Sequence, residues 1–312
     1  MKVAAGRIFF ERYSSQAQAI VADLQWALLE ADGSWSASPQ ACDLVVYAHD
    51  AYRPEFAEQV VQLSTLRWLH TEDAGVDGPF YDAIRAKGAI LTNSPGTNAP
   101  EVAEFAFSLL LWSAKRLGAL QMQQQQHRWH KLALESLSDK TLLIVGLGAI
   151  GGRLATFAKR FGMRVLGIRQ AAERVADVDQ QGTLADLPQF LSAADFVVLA
   201  LPATPATHGI IDRTTLARMQ PTATLVNIGR GTLIDLSALQ EALATGRLYQ
   251  ACLDVLPTEP WPADDPLWDL PNLFLTPHNA SSSPLYLPRV AEIWLDNLHR
   301  YVQGQALLQR VF

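Results

Sequence analysis

Three glycines at a fixed spacing mark the segment best suited to bind a phosphate group. Gly146, Gly148 and Gly151 lie between an apolar run that predicts a strand and an amphipathic pattern that predicts a helix. The first glycine permits a tight turn, the second lets backbone amides approach a pyrophosphate, and the third lets helix and strand pack closely. The helix N-terminus adds donors and a partial positive charge. The turn predicts a dinucleotide site, although a purely structural glycine turn can have the same spacing.

The next predicted strand ends on a positive charge, in VLGIRQ (165–170). An acidic residue at this place often accepts hydrogen bonds from the adenosine ribose, which Arg169 cannot do. Its guanidinium can pair with a 2′-phosphate, and the absence of the acid removes a repulsion against that phosphate. Arg169 therefore predicts NADP in preference to NAD, with Gln170 and Arg174 as candidate helpers. The alternatives are an arginine that faces water, or an NAD enzyme that tolerates it.

Buried strands that alternate with helices must position these residues. Apolar runs typical of parallel strands recur, most regularly from residue 140 to 280: DLVVYA (43–48), LRWLHT (66–71), TLLIVG (141–146), RVLGI (164–168), DFVVLAL (195–201), ATLVNIG (223–229), QACLDV (250–255) and LFLTPH (273–278). Helical patterns separate them, such as ALQEALATG (238–246), which ends on a glycine. The order predicts an α/β fold of two doubly wound, Rossmann-like domains with parallel sheets.

A turn-rich segment, NSPGTNAP (93–100), predicts a domain boundary near residue 96. One long helix is predicted after Pro100, over residues 101–129, with acidic residues at its positive end. The glutamine run 123–126 is either an interaction element or a solvated helix end.

Composition excludes several classes of function. The 312 residues are 49% hydrophobic and 18% charged with a net charge of -6, so no basic surface for nucleic acid is predicted. Cys42 and Cys252 form no disulfide pattern, and no stretch approaches the roughly 20 apolar residues of a membrane span. His127 and His130 have helical spacing but no accompanying carboxylate or cysteine, so no metal site is predicted. We expect a cytoplasmic protein without nucleic-acid or membrane partners.

Seven short motifs follow one another along the chain: AGVD (74–77), NSPGTNAPEVAEF (93–105), GLGAIG (146–151), LPATPAT (201–207), NIGRG (227–231), LDVLPTEP (253–260) and TPHNA (276–280). In this order they resemble the D-isomer-specific 2-hydroxyacid dehydrogenases over nearly the whole chain. The resemblance implies a discontinuous substrate domain, residues 1–96 and 284–312. It further implies that an NAD(P)-binding Rossmann domain, residues 97–283, is inserted in the substrate domain and that the active site would lie in the cleft between the two.

Three residues match the family's catalytic positions: Arg230, Glu259 and His278. Reduction of a 2-oxo acid needs a hydride at the carbonyl carbon and a proton at its oxygen, while the carboxylate is kept in place. Arg230 offers a fork of donors for that carboxylate, and His278 can donate the proton. Glu259 can accept a hydrogen bond from the imidazole, orient it and stabilise its charged form. Taken singly, an arginine such as Arg230 is more often a surface residue, and a histidine such as His278 is more often a packing or surface group than a catalyst.

The resemblance adds further contacts. It implies that backbone amides around Gly75 and Val76 bind the substrate carboxylate and that Asp254 binds the nicotinamide amide. It also adds Pro202 and Thr207 of LPATPAT to the cofactor site. A ligand-free glycine turn and an ordinary turn aspartate are the alternatives for Gly75 and Asp254.

The glycine loop departs from the family pattern at one position. Many family members have an arginine where this chain has Ala149, so the expected phosphate contacts there are backbone amides, of Ala149 and Ile150.

The resemblance also implies an assembly. In the family the long helix and the arm after it form a two-fold homodimer, here around 112–134. The helix carries many apolar residues over 105–112, so a partner could cover part of it. The alternative is that it packs on the substrate domain.

Together these features predict an NADPH-preferring reductase that converts small 2-oxo acids, of the glyoxylate or hydroxypyruvate type, to D-2-hydroxy acids. One alternative is an NAD-dependent dehydrogenase of a larger D-2-hydroxy acid. Another is a non-catalytic dinucleotide sensor on the same fold, against which the presence of Arg230, Glu259 and His278 counts.

Overall fold

Parallel strands and the helices between them form the framework of the computed structural model, which describes residues 1–51, 53–76 and 78–312. The strands are β1 (Lys2–Gly6), β2 (Gln25–Leu29), β3 (Leu44–Tyr47), β4 (Trp68–Thr71), β5 (Ile90–Thr92), β6 (Thr141–Val145), β7 (Arg164–Ile168), β8 (Gln180–Gly182), β9 (Phe196–Leu199), β10 (Thr224–Asn227), β11 (Gln250–Leu253) and β12 (Leu273–Leu275). The helices are α1 (Arg7–Ile20), α2 (Pro54–Gln62), α3 (Pro79–Ala86), α4 (Ala99–Ala114), α5 (Leu117–Gln125), α6 (Ala149–Arg160), α7 (Leu187–Ala193), α8 (Arg213–Leu216), α9 (Leu236–Ala244) and α10 (Tyr286–Val302).

The chain divides into two compact units. The first combines Met1–Asn98 with Ser283–Phe312, and the second is Ala99–Ser282. The sequence placed the divisions at 96/97 and 283/284. The assignment of substrate and cofactor roles to these units stays a prediction.

The first unit is built on a five-stranded parallel sheet in the order β2-β1-β3-β4-β5. The C-terminal part of the chain completes its core, because Trp294 of α10 packs edge-on against Phe9 at 5.3 Å and stacks on Trp68 at 6.4 Å. All three side chains are fully buried. At the edge of the sheet, Leu91 of β5 accepts a backbone hydrogen bond from Val311 at 2.8 Å.

The second unit is built on a seven-stranded parallel sheet in the order β12-β11-β10-β9-β6-β7-β8. The chain passes outward from β6 to β8 and then returns to β9 on the other side of β6. This reversal opens a crevice at the carboxyl ends of β6 and β9, the usual ligand site of such sheets. The predicted fold class, two doubly wound α/β domains with parallel sheets, is confirmed.

Four strands had no counterpart among the predicted runs: β1, β2, β5 and β8. The clearest case is β8, Gln180–Gly182, which pairs with β7 at the edge of the sheet and contains no apolar residue. Hydrophobic patterning cannot identify such a strand, because it contains no apolar side chain that could form a pattern.

The prediction of one long helix after Pro100 is wrong. Pro100 lies inside the first turn of α4, which ends at Ala114, and α5 begins at Leu117 after Arg116 adopts a left-handed φ of 49°. Gly118 permits a close approach at this break, since a Cβ there would lie 3.0 Å from the Trp112 ring. The glutamines 124–126 lie exposed at the end of α5. Within the described residues, no helix combines the length and apolarity that crossing a membrane requires.

Candidate active site

The residues predicted to transfer the proton contact each other directly. His278 Nδ1 lies 2.8 Å from Glu259 Oε2, and both side chains are partly exposed to solvent. The other carboxylate oxygen of Glu259 accepts the backbone N–H of Leu256 at 2.9 Å, so the carboxylate is held by its own loop. An ionised carboxylate only accepts hydrogen bonds, so Nδ1 carries the hydrogen of this bond. Nε2 is therefore the ring nitrogen left to exchange a proton with a substrate.

Asp254, at the end of β11, organises the loop that carries His278. Its buried carboxylate accepts the hydroxyl of Thr276 at 2.6 Å and the backbone N–H groups of Asn279 and Ala280 at 2.8 and 3.0 Å. Its backbone carbonyl accepts the N–H of His278 at 2.8 Å. These bonds lie on both sides of His278, whose φ of 51° is in the left-handed region. These contacts assign Asp254 a role in the shape of this loop. The nicotinamide contact that the resemblance implies stays a prediction.

Arg230 follows β10, the strand next to β11 in the sheet. Asn227, fully buried at the end of β10, shapes the turn: its side chain donates to the Arg230 carbonyl at 2.9 Å and accepts the Gly229 N–H at 3.0 Å. The Arg230 guanidinium donates to the Gly229 carbonyl at 2.9 Å. The turn thus places a guanidinium at the carboxyl edge of the sheet that also carries Asp254.

The sequence interpretation did not name Asn227 and Thr276 as site residues. Both stabilise the turns that carry the predicted catalytic side chains. The available signal was a polar residue at or just beyond the end of an apolar strand in a motif, as in NIGRG and TPHNA. A polar side chain there is buried only if it has hydrogen-bond partners.

The glycine turn fits a dinucleotide. Gly146 has a φ of 114°, and a Cβ there would lie 2.5 Å from the Ala200 carbonyl oxygen, at the crevice between β6 and β9. A Cβ on Gly151 would lie 2.1 Å from the Gly146 carbonyl oxygen, so α6 could not pack at its present distance. Around Gly148 there is open space, with no heavy atom within 4 Å of an added Cβ. A phosphate there can meet the N-terminal amides of α6, including those of Ala149 and Ile150.

Arg169 lies directly after β7, where its backbone N–H donates to the Gly182 carbonyl of β8 at 2.9 Å. Its guanidinium donates to Glu173 Oε2 at 3.1 Å. The sequence predicted the position at the strand end but not this carboxylate partner.

The remaining predicted contacts lie on loops. Thr207 is buried, and its hydroxyl donates to the Pro202 carbonyl at 2.7 Å. This bond stabilises the loop of the LPATPAT motif, in which both residues were predicted to contact the cofactor. Gly75 and Val76 lie in the first unit, after β4, and are partly exposed. Asp77, the last residue of the AGVD motif, lies outside the described residues. Over residues 1–51, 53–76 and 78–312, no group of three or more His, Cys, Asp or Glu side chains is arranged to bind a metal ion.

Comparison with known proteins identifies the family. Residues 107–280 match the sequence model described as D-isomer specific 2-hydroxyacid dehydrogenase, NAD binding domain. The chain is 36% identical to a glyoxylate reductase of Korarchaeum cryptofilum, over 81% of this chain and 78% of that protein. It is 33% identical to a D-3-phosphoglycerate dehydrogenase of Methanocaldococcus jannaschii, over 77% of this chain but 46% of that protein.

Solved structures agree. A D-isomer specific 2-hydroxyacid dehydrogenase family protein from Aeromonas salmonicida has a TM-score of 0.84 and 31% identity, covering 100% of this chain and 98% of its own. A D-isomer specific 2-hydroxyacid dehydrogenase from Xanthobacter autotrophicus, in complex with NADPH and MES, has a TM-score of 0.80 and 26% identity, covering 100% and 97%. The chain therefore belongs to the D-isomer specific 2-hydroxyacid dehydrogenase family and is an NAD(P)-dependent oxidoreductase.

Proposed function

We propose that this chain reduces a small 2-oxo acid, of the glyoxylate or hydroxypyruvate type, to a D-2-hydroxy acid and prefers NADPH. The observation that carries the proposal is the 2.8 Å hydrogen bond between His278 and Glu259 on a loop shaped by Asp254. That arrangement supports a proton donor with a fixed tautomer, which carbonyl reduction requires.

Each of the chain's own groups is assigned one role in the reduction. A nicotinamide cofactor, when bound, would supply the hydride. Arg230 binds the substrate carboxylate and polarises the carbonyl, because its guanidinium presents two parallel donors. His278 donates the proton from Nε2 to the developing alkoxide, while Glu259 stabilises the imidazolium before transfer. The turn at Gly75 and Val76 is proposed to add backbone donors to the carboxylate.

Two findings support the small substrate and NADPH. The relative from Korarchaeum cryptofilum is named a glyoxylate reductase, and the Xanthobacter autotrophicus structure contains NADPH. In this chain, Arg169 offers a positive charge, not an acceptor, at the end of β7. The second candidate is an NAD-dependent dehydrogenase of a larger D-2-hydroxy acid, which the similarity to D-3-phosphoglycerate dehydrogenase favours.

A panel of 2-oxo acids assayed with each cofactor tests the proposal. We expect the highest kcat/KM with glyoxylate or hydroxypyruvate and NADPH. Preference for NADH, or for a larger acid such as phosphohydroxypyruvate, would favour the second candidate. Cofactor binding without turnover of any acid would instead indicate a sensor.

We also propose a homodimer, formed through α5 and the segment 126–134 after it. On α4, Leu109 and Leu110 are buried in their own unit, whereas Phe105, Leu111 and Trp112 are only partly buried, with Trp112 stacked on Phe274 at 4.7 Å. The exposed apolar side chains lie farther along: Leu117, Met122, Trp129 and Leu134. Trp129 is fully exposed, and the segment borders a cavity of about 810 Å³. A second copy would remove this apolar surface from water.

Light scattering at micromolar concentration tests the assembly. We expect a dimer for the native chain and a monomer for Trp129→Lys. Val302→Lys, which changes an exposed apolar residue of the first unit, is the matched control and should stay dimeric. A native monomer would refute the dimer.

We propose a cytoplasmic location as well. Both cysteines, Cys42 and Cys252, are free and buried, which suits a reducing compartment. Recovery of the chain in the cytoplasmic fraction of its native cell is the expected result.

A further inference from the structure

Glu173, the hydrogen-bond partner of Arg169, lies on a loop that a side chain of β8 stabilises. Glu173 is exposed, with 82% of its side-chain surface accessible against 31% for Arg169. Its backbone is fixed nevertheless, because Gln181 of β8 donates to the Glu173 carbonyl at 3.0 Å and accepts the Val175 N–H at 3.1 Å. The loop therefore keeps a carboxylate within hydrogen-bond reach of the strand-end guanidinium.

A cofactor phosphate at Arg169 would meet this carboxylate in two ways. It would compete for guanidinium donors that Glu173 now accepts, and it would bring a second negative charge next to the first. A cofactor with a free ribose hydroxyl meets neither obstacle. The ion pair is solvent-exposed, so its effect on binding is modest and decreases with salt.

We propose that Glu173 is a specificity-determining residue that moderates the preference for NADPH over NADH by competing with the 2′-phosphate for Arg169. The inference rests on the proposed role of Arg169 as the phosphate ligand. The inference adds that the chain discriminates between NADPH and NADH less strongly than it would if Arg169 had no carboxylate partner.

Glu173→Gln tests the competition, since it removes the charge and retains the size of the side chain. We expect the ratio of kcat/KM for NADPH over NADH, measured with glyoxylate, to rise by about two- to five-fold. The rise should come from a lower KM and dissociation constant for NADPH, with kcat and NADH binding unchanged. It should shrink as ionic strength increases. Cofactor fluorescence titration gives the dissociation constants without turnover.

Two controls isolate the effect. Glu241→Gln removes one negative charge from another exposed pair of the same unit, Arg213 and Glu241, and should leave the ratio unchanged. In an Arg169→Gln background, the effect of Glu173→Gln should be smaller, because no guanidinium remains to compete for and only the repulsion between the carboxylate and the phosphate is left. An effect of undiminished size in that background would show that charge repulsion alone is responsible and overturn the competition.

The outcomes separate this inference from the proposed function. If Arg169→Gln lowers the NADPH preference but Glu173→Gln leaves or lowers it, the competition is refuted and the phosphate role of Arg169 stands. If Arg169→Gln leaves the preference unchanged, the phosphate role fails and the inference fails with it.

Discussion

His278 adopts a left-handed backbone conformation that is uncommon for residues other than glycine. Its φ of 51° carries a conformational cost, offset here by the hydrogen bonds that Asp254 makes on both sides of it. Glycine would fit the turn with less strain but would lack an imidazole. The hydrogen bonds from Asp254 fix the turn that presents the imidazole, which agrees with the proposed role of His278 as the proton donor.

Replacement of His278 tests that role. His278→Asn keeps a side chain that tolerates the left-handed conformation but cannot act as a general acid. We expect kcat to fall by about 10² to 10⁴ while the dissociation constant for the cofactor stays within a few fold. Steady-state kinetics and fluorescence titration measure the two quantities. A variant that retains most of its turnover would contradict the assignment.

Glu259→Gln tests the pairing. The amide can still accept the hydrogen bond from Nδ1 but no longer carries the negative charge that stabilises the imidazolium formed during catalysis. We expect kcat to fall while the dissociation constant for the cofactor stays within a few fold. An unchanged kcat would show that the contact of 2.8 Å has no part in proton transfer.

Arg230→Lys separates charge from geometry. Lysine keeps the positive charge but loses the two parallel donors, so substrate binding and carbonyl polarisation should both weaken. We expect kcat/KM for the 2-oxo acid to fall by about 10- to 100-fold, with a raised KM and a lowered kcat. Unchanged kinetics would mean that another residue binds the carboxylate.

At the scale of elements, Asp254 connects the end of β11 to the loop that carries His278. Asp254→Asn exchanges an acceptor oxygen for an amide that cannot satisfy all three donors, the Thr276 hydroxyl and the N–H groups of Asn279 and Ala280. A buried donor without a partner costs about 1 to 3 kcal/mol. We expect a loss of that size in unfolding free energy in urea, together with a lower kcat. Thr276→Val removes only one of the donors and should cost less.

The sequence predicted elements best where residue type alone determines the structure. Gly146 and Gly151 could be assigned roles because no other residue fits their spacing and close contacts. Arg116 could not, since nothing in an arginine indicates a left-handed φ of 49°. The same limit applies to Glu173, because its approach to Arg169 depends on a loop shaped by tertiary contacts.

At the scale of the whole molecule, two titratable groups of the first unit, His70 and Glu72, give the free energy of unfolding opposite dependences on pH. Burial lowers the pKa of His70 to about 3, and a backbone hydrogen bond at Val290 opposes this shift. The His70 ring contacts the hydroxyls of Thr92 and Ser94 and lies edge-on to the Trp68 ring. Burial raises the pKa of Glu72 to about 7, with Asp73 and Asp50 adding to the rise and the His49 N–H opposing it. Tyr286 also faces this group, donating its hydroxyl to the Glu72 carbonyl.

The signs follow from proton binding. Between about pH 4.5 and 6.5, His70 binds a proton in the unfolded state but not in the folded state, so its contribution to the free energy of unfolding rises with pH. Glu72 binds a proton in the folded state but not in the unfolded state, so its contribution falls with pH. The two slopes largely cancel. Glu72→Gln should make the unfolding free energy rise more steeply with pH by up to about 1.4 kcal/mol per pH unit, and His70→Gln should do the reverse. Urea unfolding at pH 5 and pH 6.5 measures the slopes, and parallel slopes for all three proteins would contradict both assignments.

The contribution of both ends of the chain to the first unit also sets an order of assembly during synthesis. Trp294 belongs to the core that contains Phe9 and Trp68, so a nascent chain cannot complete that core until α10 has left the ribosome. The second unit, Ala99–Ser282, needs nothing beyond residue 282 for its own sheet. The second unit can therefore fold before α10, which completes the core of the first 98 residues, has been synthesised. Until then the first 98 residues expose apolar surface that chaperones can bind.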